Sequence, residues 1–305
     1  MATAFNSLLS MGQIIDAFPL SPMQHGMLFH HLQDPRSGID IEQLVVHLAE
    51  RVDAERLNAA WQWLVRRHDI LRTRFVWAEL EQPQQEVLST APVPFTIEDA
   101  RQLTPHNQRE KLKTFLKTDR LRGFDMNCAP MARLTLFQRE DSASTLVWTF
   151  HHALLDGRCF PILLQEVFEV YSELEKGGVA PRPAAPPYRR YIEWLQRNDG
   201  AGAEAFWKAF LQGFSAPTPL VIERQRPPDP TVYHAGEAWE VLERALTDRL
   251  GQLAEEQGLT LNSLVMGAWA VLLHRYSGEE DILFGSTRAC RKSSVPDADQ
   301  TRSWK

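Results

Sequence analysis

The residues with the clearest chemical potential form one short run, His151-His152-Ala153-Leu154-Leu155-Asp156-Gly157. This run follows residues 145–150, an apolar stretch rich in β-forming side chains that is typical of a buried central strand. Histidine is suited to proton transfer because its unperturbed pKa lies near neutrality. A strand that delivers two imidazoles, an acid and a turn-permitting glycine therefore predicts an acid–base site at its end.

The elements that must position this run alternate irregularly between helix and strand. A helix start is predicted at Ser21-Pro22-Met23-Gln24, where a cap, a first-turn proline and a capping box coincide. A second helix is predicted from about Asp53, with one buried stripe that consists of Leu57, Trp61, Leu64 and His68. Further helices are predicted from Thr104-Pro105 and over residues 160–176, 191–214, 246–257 and 260–276. Strands are predicted at residues 41–48, 70–75, 131–138, 145–150 and 281–285.

In the predicted strand 70–75, Arg72 and Arg74 would share one face, because side chains alternate along a strand. The length of 305 residues favours two lobes of a mixed α/β or α+β protein. The first lobe is expected over residues 15–178 and includes the histidine run. A Pro- and Ala-rich linker is expected at 179–190, a second lobe at 191–287, and a polar tail at 288–305.

The overall composition of the chain limits the classes of function that it can have. The chain is 44% hydrophobic with a net charge of -6, which suits a globular core and argues against nucleic-acid binding. No apolar run of about 20 residues and no signal peptide are recognised, so a cytoplasmic location is expected. Cys128, Cys159 and Cys290 match neither a zinc spacing nor a disulfide framework, so they are predicted to be reduced structural thiols, and no metal is expected.

Taken with its flanks, the histidine run resembles the HHxxxDG motif of the condensation domains of nonribosomal peptide synthetases. Residues 18–30, Phe-Pro-Leu-Ser-Pro-Met-Gln-His-Gly-Met-Leu-Phe-His, look like the first core motif of that family. Residues 67–75, Arg-His-Asp-Ile-Leu-Arg-Thr-Arg-Phe, look like the second motif. Residues 188–194 are similar to the fourth motif, and residues 259–285 are similar to the helix and strand that follow it. Order and spacing agree over nearly the whole chain.

The resemblance implies a chloramphenicol acetyltransferase-like fold of two lobes arranged as a V, with a tunnel between donor and acceptor carrier domains. Each carrier would bring a thioester on a phosphopantetheine arm, and the acceptor amine would attack the donor carbonyl to form an amide bond in secondary metabolism. The implied partners are peptidyl or aryl carrier domains acting in trans and the adenylation domains of a synthetase. No directly bound cofactor, nucleic acid or membrane is implied.

The same resemblance assigns roles to individual residues. His152 is the implied catalytic residue, which either accepts a proton as the C–N bond forms or stabilises the zwitterionic intermediate. An α-amino group with a pKa of about 8 leaves some free amine at neutral pH, so how much base catalysis is needed stays open. His151 is expected to be structural because adjacent strand residues point to opposite faces. Asp156 is expected to pair with Arg72, and Gly157 is expected to allow close backbone approach at the tunnel.

The resemblance is expected to stop near Arg291, whereas members of the family continue well beyond that point. The resulting hypothesis is a chain truncated within its second lobe. One alternative is therefore a non-catalytic remnant that at most binds a carrier domain. Others are a wax-ester, acyl-glycerol or amide synthase sharing the motif, or a glycerolipid acyltransferase. The last would use His151 as its base, since His151 and Asp156 also fit an HxxxxD pattern.

Overall fold

Two β-sheets with flanking helices make up the described part of the chain. The computed structural model describes residues 12–287, except 36, 51, 140–142, 199, 201 and 220–237. Its strands are β1 (Ile14–Pro19), β2 (Ile41–Leu48), β3 (Thr73–Val76), β4 (Gln84–Leu88), β5 (Phe95–Asp99), β6 (Ala132–Gln138) and β7 (Ser144–His151). Its helices are α1 (Pro22–Gln33), α2 (Ala54–Arg67), α3 (Pro105–Arg122), α4 (Cys159–Glu175), α5 (Arg189–Arg197), α6 (Ala203–Phe210), α7 (Arg244–Glu256) and α8 (Leu261–Ser277).

The sheets combine antiparallel and parallel pairing. The smaller sheet has the order β1-β4-β3 and is antiparallel, and the larger has the order β2-β7-β6-β5. In the larger sheet β2, β7 and β6 are antiparallel, whereas β5 runs parallel to β6. This arrangement confirms the predicted mixed α/β class.

Strand β7 lies inside the larger sheet, and every one of its residues is buried. Because side chains alternate along a strand, Leu146, Trp148 and Phe150 share one face. On this face the Trp148 ring lies 4.8 Å from Trp61 of α2 and 6.2 Å from Phe160 of α4, measured between centroids. The aromatic contacts fix β7 against two helices, so the residues that follow β7 leave the sheet from a defined position.

The start of α1 is built as the sequence predicts. The Ser21 hydroxyl accepts from the Gln24 backbone N–H, and the Gln24 side chain accepts from the Ser21 N–H. This reciprocal capping box satisfies two donors that the first helical turn leaves without intrahelical partners.

Three predicted elements differ from the structure. Residues 70–75 are not one strand, because Asp69–Arg72 forms a 3₁₀ turn before β3. Arg72 therefore lies in the turn and not on a strand face with Arg74. Residues 191–214 contain a break between α5 and α6, where Gly200 and Gly202 adopt positive φ. Residues 281–285 are irregular, because no described strand lies beside them to supply the hydrogen bonds that a strand needs.

The chain divides into two compact units, one within Met1–Asp199 and the other within Gly200–Arg288. The first unit extends beyond the linker predicted at 179–190, because α5 packs against that unit. Arg189 at its start makes a two-pronged ion pair with Asp16 of β1, with distances of 2.6 and 2.9 Å, and Ile192 is buried. Within the described residues, no helix combines the length and apolarity of a membrane span. The predicted tail at 288–305 and Cys290 lie outside the described residues.

A buried carboxylate ties the end of α2 to the middle of α4. Glu166 of α4 has no exposed surface, and it binds the Nε atom of Arg67 and the Nε2 atom of His68, each at 2.6 Å. Burial acts to raise the pKa of Glu166, but the hydrogen bonds and charges of His68 and Arg67 outweigh it and lower that pKa. Arg67 also donates to the Pro183 carbonyl, so the cluster fastens the segment after α4 to the same site.

We expect Glu166→Gln to reduce the free energy of unfolding by about 3–5 kcal/mol, because it leaves the largely buried Arg67, whose side chain is 14% exposed, without its countercharge. Glu175→Gln is the matched control, since Glu175 also lies on α4 and pairs with an arginine of α2, but is 62% exposed. The control should cost less than about 1 kcal/mol. Urea denaturation of both variants measures the difference.

The stabilisation that Glu166 contributes should depend on pH. Because the folded-state pKa of Glu166 lies below its ordinary value of 4.5, its ion pairs stabilise the fold fully above that pH. Their contribution is lost as the pH falls through the lower folded-state pKa. The stability gap between the native chain and Glu166→Gln should therefore narrow below about pH 4.5. A gap that is independent of pH would contradict an ionised Glu166.

Candidate active site

The histidine run forms a tight turn directly after β7. His151 is the last residue of β7, and the Leu154 N–H donates to the His151 carbonyl at 3.1 Å. The His151 N–H donates to the Met131 carbonyl, and the His152 N–H donates to the Asp40 carbonyl at 2.7 Å. Hydrogen bonds to both sides of β7 therefore fix the backbone of the two histidines.

The ring of His152 has a defined hydrogen-bond pattern. Its Nδ1 atom lies 2.8 Å from the Leu155 carbonyl oxygen. A carbonyl oxygen can only accept, so Nδ1 must donate and carries the hydrogen of the ring. In the neutral imidazole the basic lone pair then lies on Nε2, which is the arrangement that a proton acceptor needs. The side chain is only partly buried, so the ring lies at the protein surface or at the wall of a cleft.

The three residues after His152 anchor the turn in the core. Ala153, Leu154 and Leu155 are exposed by 0, 2 and 0% respectively. All three belong to the hydrophobic cluster that also contains Trp148 and Phe150. Displacing the backbone of the turn would pull these apolar side chains toward water, which costs about 1.5–3 kcal/mol for each leucine.

His151 occupies a different environment from its neighbour. It is 2% exposed, and its Nδ1 atom accepts a hydrogen bond from the Ala153 N–H at 3.1 Å. Its ring lies 6.4 Å from the His31 ring of α1 in an edge-on arrangement. Burial lowers the pKa of His31, although Asp125 and Asp40 act in the opposite direction. His31 of α1 therefore lies beside His151, and of the two histidines in the run His152 has the greater access to solvent.

Asp156 acts on the helix that follows the turn. Its Oδ1 atom accepts from the N–H groups of Arg158 and Cys159 at 3.0 and 3.1 Å, and from the Cys159 thiol at 3.1 Å. The carboxylate thus binds the N–H groups of Arg158, the N-cap residue, and of Cys159, the first residue of α4, where the helix dipole favours a negative charge.

The predicted pair of Asp156 with Arg72 is wrong. Arg72 lies in the 3₁₀ turn and uses its guanidinium there: Nε donates to the Val65 carbonyl, Nη1 to the Leu88 carbonyl, and Nη2 to Asp69 at 2.5 Å. The prediction placed Arg72 on a strand face, but the 3₁₀ turn directs it toward the chain around α2 and β4. Arg72 supports the fold and not the histidine turn.

Gly157 is not required by backbone conformation. Its φ angle lies outside the left-handed region, and a Cβ atom built on it would meet no atom within 4 Å. The expectation that the glycine is needed for a tight turn is therefore wrong. The open space beside Gly157 lies next to the turn that carries His152.

Two parts of the site were not found by sequence reasoning. The Gln24 side chain donates to the Ala153 carbonyl at 3.2 Å, although the sequence indicated only its capping role. The Asp40 carbonyl binds the His152 N–H, and no side-chain pattern could reveal a backbone acceptor. The sequence indicated neither the complete burial of Gln24 nor its distant partners.

Within the described residues, no group of three or more histidine, cysteine or acidic side chains is arranged to hold a metal ion. Of the cysteines that the structure describes, Cys128 is exposed and Cys159 is buried, and neither forms a disulfide.

Comparison with known families gives one match over almost the whole chain. The family described as "Condensation domain" matches residues 14–303. The prediction that the match stops near Arg291 is therefore wrong. The last residues are polar without a helical or alternating pattern, so periodicity could not indicate that they belong to the same domain.

The curated relatives are much longer than this chain. One of the proteins that make up the linear gramicidin synthase of Brevibacillus parabrevis is 40% identical over 284 residues, which are 93% of this chain and 4% of the relative. One that belongs to the mycosubtilin synthase of Bacillus subtilis is 34% identical over 286 residues, 94% of this chain and 11% of the relative. The chain thus corresponds to a small part of each of these proteins.

Solved structures show the same fold at lower identity. The first condensation domain of the calcium-dependent antibiotic synthetase, in complex with a substrate analogue, superposes with a TM-score of 0.73 at 20% identity. The match covers 88% of this chain and 64% of that domain. The starter condensation domain of rhizomide synthetase gives a TM-score of 0.66 at 17% identity, covering 90% and 63%. The predicted chloramphenicol acetyltransferase-like fold is confirmed, and the chain spans about six-tenths of these structures.

We expect Asp156→Ala to reduce the free energy of unfolding by about 0.5–2 kcal/mol, because the N–H groups of Arg158 and Cys159 lose their carboxylate acceptor at the start of α4. Asp156→Asn keeps an oxygen in the same place and should cost less than half as much. Chemical denaturation of both variants measures the two losses. Equal losses would contradict a role as hydrogen-bond acceptor and would indicate that the charge itself is needed.

Proposed function

Since the chain belongs to the condensation domain family, matched over residues 14–303, we propose that it forms amide bonds by acyl transfer between carrier-bound thioesters. The observation that carries this proposal is the ring of His152. It is partly buried on a fixed turn, and its Nδ1–Leu155 hydrogen bond leaves the basic lone pair on Nε2. An acyl transfer to an amine needs such a proton acceptor beside the reacting nitrogen.

In the proposed step, the free amine of the acceptor attacks the thioester carbonyl carbon of the donor, and a C–N bond forms. The nitrogen gives up one proton to Nε2 of His152, the C–S bond breaks, and the thiolate takes a proton back from the imidazolium. The products are an amide on the acceptor and a free thiol on the donor arm. Proton transfer of this kind is typically worth about 10²–10⁴-fold in rate.

The names of the relatives support a definite set of substrates and partners. The relatives belong to peptide synthases, which supports delivery of the acyl and aminoacyl groups on phosphopantetheine arms of donor and acceptor carrier domains. Under this proposal the chain acts on groups held by carrier domains, and adenylation domains load those carriers. Synthesis of this type uses activated amino acids made in the cytoplasm, which is the proposed location.

We expect His152→Ala to lower the rate of amide formation by about 10²–10⁴-fold. The assay mixes the chain with a panel of N-formylaminoacyl-pantetheine donors and aminoacyl-pantetheine acceptors, and mass spectrometry measures dipeptidyl-pantetheine. His106→Ala is the matched control, because His106 is an exposed histidine of α3 away from the turn, and its rate should be unchanged.

Each other outcome contradicts a definite part of the proposal. Amide formation by His152→Ala at the native rate would contradict the role of His152. Loss of activity in His151→Ala, with His152→Ala still active, would favour a glycerolipid-type acyltransferase that uses the first histidine. Absence of any amide product from the native chain would contradict catalysis by this chain and favour a non-catalytic role in carrier binding.

Gly157 provides a second test, because we propose that substrate passes through the open space beside it. Gly157→Leu should leave thermal unfolding unchanged, since a side chain there meets no protein atom. It should lower kcat/KM about 10- to 100-fold by filling space that the acyl arm needs. Gly178→Leu is the control, since Gly178 is also exposed and surrounded by open space. Unchanged kinetics in Gly157→Leu would contradict substrate passage at this position.

A further inference from the structure

We propose that Gln24 is a positioning residue for the histidine turn, with a role beyond capping α1. Its carboxamide binds the backbone of the turn and thereby sets the place of the His152 ring. The catalytic part of this inference rests on the proposed function, whereas the positioning itself can be tested without it.

The first support is the set of bonds that converge on one side chain. Gln24 is completely buried, and its Nε2 atom donates to the Ala153 carbonyl and to Oε1 of Gln85, each at 3.2 Å. Its Oε1 atom accepts from the Ser21 N–H at 2.9 Å and from Nε2 of Gln85 at 3.0 Å. A primary amide has two donor hydrogens and two acceptor lone pairs, so this carboxamide is fully used.

The second support is where the bond to Ala153 falls. The neighbouring backbone contacts of the turn, from His151 to Met131 and from His152 to Asp40, are made by N–H groups. The Ala153 carbonyl belongs to the peptide unit between residues 153 and 154, which lies between the two ends of the ring-to-backbone bond from His152 to Leu155. The Leu154 N–H at the other side of this unit donates to the His151 carbonyl at 3.1 Å. Without Gln24 the unit would be held on its N–H side alone, so its carbonyl side could tilt and shift the Leu155 carbonyl that orients the ring.

The third support is the chemistry of the position. A residue that only packed α1 against the sheet could be apolar at no cost. A buried carbonyl without a partner costs about 1–3 kcal/mol, so Ala153 needs a donor at this point. Gln85 completes the arrangement, since it also donates to the Pro19 carbonyl at 2.9 Å and thereby joins the carboxamide to the end of β1.

The test compares Gln24→Met with Gln85→Met. Methionine at 24 keeps the volume but cannot donate to the Ala153 carbonyl. Methionine at 85 removes bonds from the same cluster, yet it leaves the contact between Gln24 and Ala153 in place. Both variants are made in the full chain, and their unfolding midpoints show whether each is folded. Gln24→Asn is made in parallel, since it stays polar but is one methylene too short to span the 3.2 Å contact.

Two measurements are made on each folded variant. The first is kcat and KM with the same pantetheine substrates. The second is the ¹⁵N spectrum of labelled histidine, which reports which nitrogen of His152 carries hydrogen and its pKa. We expect Gln24→Met and Gln24→Asn to lower kcat about 10- to 100-fold with KM within about twofold, because a small misplacement of a catalytic group has this cost. Their His152 signals should lose the single Nδ1–H form. Gln85→Met should change kcat less than about threefold and should keep that form.

Equal changes in the Gln24 and Gln85 variants would overturn the inference, because they would show general loosening of the cluster. Native His152 spectra in both Gln24 variants would also overturn it. If the native chain forms no amide, the spectra still test the positioning, so failure of the proposed function and failure of this inference are distinguishable.

Discussion

A histidine can act as a directed proton acceptor only when its ring is prevented from turning and its hydrogen is assigned to one nitrogen. Here one hydrogen bond, from Nδ1 of His152 to the Leu155 carbonyl, does both. That carbonyl is itself fixed because Ala153, Leu154 and Leu155 are buried in the core. The larger sheet and the helices on it therefore serve to keep a single backbone oxygen in place. The apolar residues of the motif matter as much to its chemistry as the polar ones.

Apolar packing alone would let the helices slide over the sheet, and two buried polar clusters restrict this. On one face, Glu166 joins α4 to Arg67 and His68. On the other, Asp119 of α3 accepts from Arg133 of β6 and Thr149 of β7, each at 2.6 Å. Removing either partner of such a pair is costly, so the clusters define one alignment of helix and strand. Thr149 is only two residues before the first histidine, so this alignment reaches the site.

Local patterns in the sequence correctly predicted those features that depend on interactions between neighbouring residues. The capping box at Ser21, strand β2 and the buried strand β7 all form as predicted, because neighbouring residues decide them. Contacts that depend on distant segments were missed. Gln24 and Ala153 are 129 positions apart, and no periodicity connects them. Arg72 was misplaced because an apolar run beside β3 favours a strand, whereas tertiary contacts selected a 3₁₀ turn. The roles of His152 and Gly157 stay predictions, since they concern substrates and not the fold.

The two reciprocal pairs of bonds, Ser21 with Gln24 and Gln24 with Gln85, have an evolutionary consequence. Gln24 exchanges a donor and an acceptor with each of the other two residues, and all three residues are almost completely buried. A replacement at one position leaves buried polar atoms of the other residues without hydrogen-bond partners, so single changes should be selected against. Among homologous chains these positions should therefore covary, with coordinated replacements in descendants.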